Sequence, residues 1–173
     1  MRFQEEIIWL RLHALNGNIL HETPVRIYVM GAEEWRDLSS FPPESMHLQR
    51  WYLQPDGTLN SKLPPASKPD HYQYDPSDPT PSVGGAGRFP GTGPARQDNR
   101  LLEARLDVLT FTTKELSRDL EIIGPVEAEL YIQSSQEYTD FFVCITDVEP
   151  PGKSMNVCDG LQRLKHSHRK MNA

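Results

Sequence analysis

Apolar and polar residues alternate along several short stretches of this chain, and the alternation predicts strands. After Pro24, Val25, Ile27 and Val29 share one face while Arg26, Tyr28 and Met30 share the other. That is the period of two a half-buried strand needs. After Gly124 and Pro125, Val126, Ala128, Leu130 and Ile132 alternate with Glu127, Glu129, Tyr131 and Gln133, which predicts an outer strand with one wet face. The run FFVCITDV (141–148) is apolar on both faces and is expected to be central. Glu149, Pro150, Pro151, Gly152 and Lys153 supply a turn that returns the chain into SMNVCDGLQRL as a hairpin. VLTFTT (108–113) and LEII (120–123) add β-branched stretches, and HYQYD (71–75) is one further strand candidate.

One segment keeps a different period. Phe3, Ile7, Leu10 and Ala14 recur at helical spacing, and Asn16 with Gly17 gives a stop. A short N-terminal helix over 3–15 is expected, and a helix that short needs a surface to pack on. Residues 61–100 carry eight prolines and five glycines and almost no periodicity. Tyr72, Tyr74, Val83 and Phe89 give that run apolar anchors, so it reads as an ordered loop packed on a neighbour. Short strands, Pro/Gly turns and one helix describe a mostly β chain with a β-sandwich architecture.

Composition narrows the function. The 15 prolines among 173 residues work against long helices. A net charge of −6 leaves no basic patch large enough for a polyanion, so nucleic acid is not an expected partner. The basic cluster at 165–170 is terminal and short, and reads as a tail. No stretch approaches the roughly 20 apolar residues of a membrane span. Glu5, Glu6 and Arg11 interrupt what a signal peptide would keep apolar. A cytoplasmic location is therefore expected, and no membrane contact.

Candidate chemistry is sparse. None of the serines has the G-x-S-x-G surroundings of a nucleophile elbow, so no catalytic residue is assigned. Gly152, Lys153 and Ser154 copy the end of a phosphate loop, but Asp147 stands where its first glycine belongs, and a turn is expected instead. The glycines at 84, 85 and 87 and at 91 and 93 lack the strand-then-helix setting of a dinucleotide site. His166 and His168 leave most of a metal shell unfilled, and Asp75, Asp78 and Asp98 follow no calcium-loop spacing, so no metal and no cofactor is expected. Cys144 and Cys158 would be directly opposite if residues 150–152 form the hairpin loop. A cross-strand disulfide is then conceivable, although free thiols in a reducing compartment are the expected state. Trp35, Trp51, Tyr52, Tyr72 and Tyr74 could make an aromatic platform, the basis for an alternative reading as a free-standing carbohydrate- or peptide-binding module.

Four blocks, in order, resemble the C-terminal non-catalytic domain of the X-Pro dipeptidyl-peptidase and cocaine-esterase (acyl esterase) family of serine hydrolases. They are TPVRIYVMGAEEWRDLSSFPPE (23–44), WYLQPDGTL (51–59), YDPSDPTPSVGG (74–85) and residues 105–163, where TDFFVCITDV and DGLQR are most diagnostic. The resemblance implies a jelly-roll, galactose-binding-like β-sandwich behind an α/β-hydrolase domain, which would be its partner and would hold the Ser-His-Asp triad. It implies that the β-domain covers a pocket for an ester or amide substrate, with Gly87, Arg88 and Phe89 on the pocket rim. An arginine at 88 departs from the apolar residue common there. Residues 1–17 then read as the helical remnant of the hydrolase domain, 18–164 as the sandwich and 165–173 as a tail unlike the family. A fragment lacking the closing strands is expected, exposing a sheet edge and apolar faces prone to self-association.

Overall fold

The computed structural model describes residues 23–85 and 96–165. The helix expected over 3–15 lies outside them, as does the tail beyond Lys165. The fold class is mostly β. Among the described residues, six strands form three antiparallel pairs, and one four-residue helix accompanies them.

The chain divides into two compact units, the first comprising residues 1–49 and 118–126. Within it, β1 (Val25–Val29) pairs with β2 (Glu34–Leu38), Val25 opposite Leu38 and Val29 opposite Glu34. The predicted alternation is realised in β1: Val25, Ile27 and Val29 are half-buried, and Arg26 and Tyr28 exposed. The connection turns sharply at Gly31, whose φ of 88° suits a residue without a Cβ. On the exposed face, Tyr28 meets its cross-strand partner Trp35 edge to face at 5.3 Å, and the Arg26 guanidinium lies 5.5 Å over the Trp35 ring. Arg36 pairs with Glu34 at 2.6 Å and with Glu121 at 2.7 Å, tying residues 118–126 to β2. A Cβ on Gly124 would fall 2.6 Å from the Met46 sulfur, so glycine is what lets the two approach.

The second unit comprises residues 50–117 and 127–173. Its short pair, β3 (Tyr52–Leu53) with β4 (Leu59–Asn60), closes on a turn in which the Asp56 carboxylate accepts from the Thr58 amide at 3.1 Å and hydroxyl at 2.7 Å. Those bonds hold the Asp56 pKa below its ordinary value. Helix α1 (Arg100–Glu103) is a single turn. The long hairpin is β5 (Tyr138–Glu149) with β6 (Lys153–Lys165), joined through Pro150, Pro151 and Gly152 as the sequence predicts.

Three expectations need correction. The stretches at 71–75, 108–113, 120–123 and 126–133 belong to no strand. Within 108–113 a lone bridge joins Thr112 to Thr58. Alternation decides which face could be buried, but a ladder also needs a neighbour whose N–H and C=O groups match in register. Without one, Val126 stays 46 % exposed and Ile132 43 %. The apolar strand at 141–148 is not central: β5 has β6 alone as a ladder partner, and Phe142 is 51 % exposed. Among the described residues no apolar side chain is buried, and the four that are buried are Gln54, Asn99, Ser154 and Asn156.

The third correction concerns the placement of the cysteines, whose free state is the expected one. From the turn outward the register runs Glu149 opposite Lys153 to Thr146 opposite Asn156, then slips, so that Ile145 faces Cys158 and Cys144 faces Asp159. Val157 is the extra residue of a β-bulge. Directly paired residues share a face, so the slip separates Cys144 from Cys158, and both are free thiols.

Candidate functional site

A polar constellation of the second unit surrounds residues 96–107. Residues 97–99 lie along β6 as a short antiparallel addition, Asp98 opposite Met155. The Asn99 amide donates to the Ser154 carbonyl at 2.7 Å and the Asn156 amide to the Gln97 carbonyl at 3.2 Å. The Asn156 side chain completes the arrangement by accepting from the Gln97 amide at 2.6 Å. This covers the β6 edge where an exposed strand would otherwise offer unpaired groups.

Helix α1 begins at the next residue. Asp98 accepts from the Arg100 amide at 3.2 Å and from the Arg100 guanidinium at 2.6 Å and 2.8 Å. That guanidinium is the main reason its carboxyl falls to about 2. One turn later α1 delivers Glu103 to β5 and β6, where it accepts from the Ser154 hydroxyl at 2.5 Å and the Thr146 hydroxyl at 3.5 Å. Arg96 adds ion pairs to Asp147 at 2.8 Å and Glu149 at 2.7 Å.

A second node follows the helix. Arg105 grips Asp107 through Nε at 2.7 Å and Nη2 at 2.9 Å, and Thr80 donates to the same carboxylate at 2.6 Å. These bonds, Arg105 first, bring the Asp107 carboxyl down to about 2. Gly85 turns at a φ of 81°, and a Cβ there would lie 2.5 Å from the Asp159 carboxylate. The left-handed backbone conformation there favours glycine.

The chemistry of this constellation is structural. Ser154 is 2 % exposed, so its hydroxyl cannot meet an acyl substrate. Gly152, Lys153 and Ser154 form the end of the hairpin turn and the start of β6, in keeping with the turn expected there. Asp75 accepts from Ser77, Asp78 pairs with Arg105 and Asp98 with Arg100, so the three carboxylates serve separate turns and ion pairs. Among the described residues, no group of three or more His, Cys, Asp or Glu could share a metal ion. No helix among them is long and apolar enough to cross a membrane.

Desolvation pushes the Cys144 thiol up to about 11, with Asp159 adding to the rise, and it raises Cys158 as well. Neither is an activated nucleophile. The proposed aromatic platform divides: Trp35 belongs to the first unit, and Trp51, Tyr52, Tyr72 and Tyr74 to the second. Gly87, Arg88 and Phe89, expected on a pocket rim, lie outside the described residues, as do His166 and His168. Sequence reading missed Glu103, Arg105, Asn156 and Ser154, because the partners that tie them to other segments lie 27 to 59 residues away and carry no periodic signal.

Comparison with known proteins decides the family. Residues 18–172 match the X-Pro dipeptidyl-peptidase C-terminal non-catalytic domain. The chain belongs to this family. The match runs past Leu164 to residue 172. Among related proteins, the cocaine esterase of Rhodococcus sp. is 35 % identical over 151 residues, covering 82 % of this chain and 26 % of the esterase. Putative serine esterases of Mycobacterium bovis and Mycobacterium tuberculosis are each 29 % identical over 155 residues, covering 84 % of this chain and 23 % of each esterase. The chain thus spans about a quarter of the length of the curated relatives it matches. By family it is a non-catalytic C-terminal domain of an esterase and peptidase group.

Proposed function

We propose that this chain is the accessory β-domain of a serine hydrolase, folded as a jelly-roll sandwich, which covers the substrate pocket of an α/β-hydrolase catalytic domain. The observation that carries the reading is the non-catalytic family match across residues 18–172, in a sequence without a G-x-S-x-G elbow. The substrate would be an ester or amide, attacked by a serine of the catalytic domain and steadied by an oxyanion hole there. Gly87, Arg88 and Phe89 would stand at the pocket rim, with Arg88 offering a cation where an apolar contact is usual. Residues 1–17 would lead out of the hydrolase domain. The cytoplasm is the proposed compartment, because the register of Cys144 and Cys158 sets them apart rather than together.

The test has two arms. Purified chain incubated with an activated phenyl ester is expected to give the buffer rate. Native DNA on both sides of the reading frame, translated in all frames, is expected to encode a G-x-S-Y-x-G elbow with a later Asp and His. Turnover that survives repurification would sink the proposal, and so would flanking frames unrelated to hydrolases.

A further inference from the structure

The run from 61 to 82 is exposed throughout, so apolar burial is not what fixes this proline-rich segment. Its local order comes from Asp75, whose carboxylate accepts from the Ser77 amide at 2.9 Å and hydroxyl at 2.7 Å, while the Asp78 amide donates to the Asp75 carbonyl at 3.2 Å. That turn shapes residues 75–78 but does not locate them. Among the described residues, the hydrogen bonds that reach residues 75–80 from elsewhere in the chain come from one node. Arg105 Nη2 donates to the Asp78 carbonyl at 2.8 Å, Arg105 Nη1 lies 3.1 Å from the Asp78 carboxylate, and the Thr80 hydroxyl donates to Asp107 at 2.6 Å.

We infer that Arg105 is a positioning residue, a latch that holds the proline-rich segment 75–80 against residues 105–107. An ordinary surface ion pair would be too weak for that role. The exposed arm, to an Asp78 side chain that is 73 % accessible, is such a pair. The covered arm differs. The Asp107 side chain is only 7 % accessible and takes a two-pronged grip from the guanidinium, which leaves Nη2 aimed at the Asp78 carbonyl. A planar fork can satisfy carboxylate and carbonyl together, and the point charge of a lysine cannot. Thr80 then completes the closure by binding the carboxylate that Arg105 orients. The inference does not depend on the chain belonging to an active hydrolase.

The experiment is amide hydrogen exchange on the 173-residue chain at neutral pH, read at Ser77 and Asp78 and, as a reference, along β5 and β6. Arg105→Ala is expected to speed exchange at Ser77 and Asp78 by about tenfold while leaving the hairpin unchanged. Arg105→Lys should not restore protection, Thr80→Val should cost severalfold, and Asp78→Asn should change little because it keeps the carbonyl. Unchanged exchange in either Arg105→Ala or Thr80→Val would overturn the latch. So would full rescue by lysine, or a parallel loss across β5 and β6. Thr80→Val keeps the test decisive even where Arg105→Ala fails to fold.

Discussion

The hairpin β5–β6 and the stretch at 126–133 lie close in sequence and both carry strand-like patterns, yet only one becomes a ladder. In β5–β6 a three-residue turn brings two apolar runs into register, and residues 97–99 then add to the β6 edge. Residues 126–133 have the cleaner alternation and no turn that supplies a neighbour, and Tyr131 ends 94 % exposed. A pattern of two states which face could be buried. The turn decides whether anything arrives to pair with it.

The comparison breaks most directly at the turn. Gly152 sits at a φ of 102° with no atom within 4 Å of an added Cβ, so Gly152→Val would act through the backbone alone. The expected loss is roughly 1–2 kcal/mol, read as faster amide exchange along 138–165 with no change at β1–β2. A silent substitution would mean the turn does not hold the register.

Next in size is the edge cover. Ser154→Ala takes the hydroxyl from Glu103 in a position 2 % exposed, and is expected to cost about 1–3 kcal/mol and to release residues 97–99. Chemical denaturation gives the loss, and exchange at the Asn99 amide shows where it falls. The two stretches can then be compared side chain for side chain. Ile145→Ala in half-buried β5 should cost roughly 1–2 kcal/mol, whereas Leu130→Ala in the unpaired stretch should stay within about 0.5 kcal/mol. Equal losses would mean 126–133 is packed as a strand after all.

Acid should act on the staples before it acts on the ladder. Asp98 sits at about 2, below its ordinary value near 3.8. A depressed folded value favours the folded form above the unfolded pKa, and this contribution disappears as pH falls from about 4 towards 2. Protection at Asn99 is therefore expected to hold from pH 8 to 5 and to fail near pH 2, with β5–β6 amides far from Asp98 fading later. The smallest effect concerns the thiols. With Cys144 at about 11, its thiolate at neutral pH is roughly a hundredfold scarcer than at an ordinary value, so alkylation should be slow. Rapid labelling, or a disulfide to Cys158 on mild oxidation, would contradict the bulge.

Much of this was legible in the residues. Val25, Ile27 and Val29 declared β1, and Pro150, Pro151 and Gly152 declared the turn between β5 and β6. The four blocks between 23 and 163 identified the family before any geometry was seen. The rest depended on distance along the chain. No local pattern foretells that Val157 will bulge, that Asn156 will meet Gln97, or that Arg105 will reach back 27 residues to Asp78.

By itself, then, the sequence determined the mostly β class, the hairpin turn and the family. These follow from side-chain period, from the restricted backbone of proline and glycine, and from motif order, all written in neighbouring residues. Tertiary structure alone decided which predicted strands found partners, which polar side chains are buried and why the two cysteines stand apart. Those outcomes rest on hydrogen bonds between segments distant in sequence, whose register is fixed only when both segments are in place.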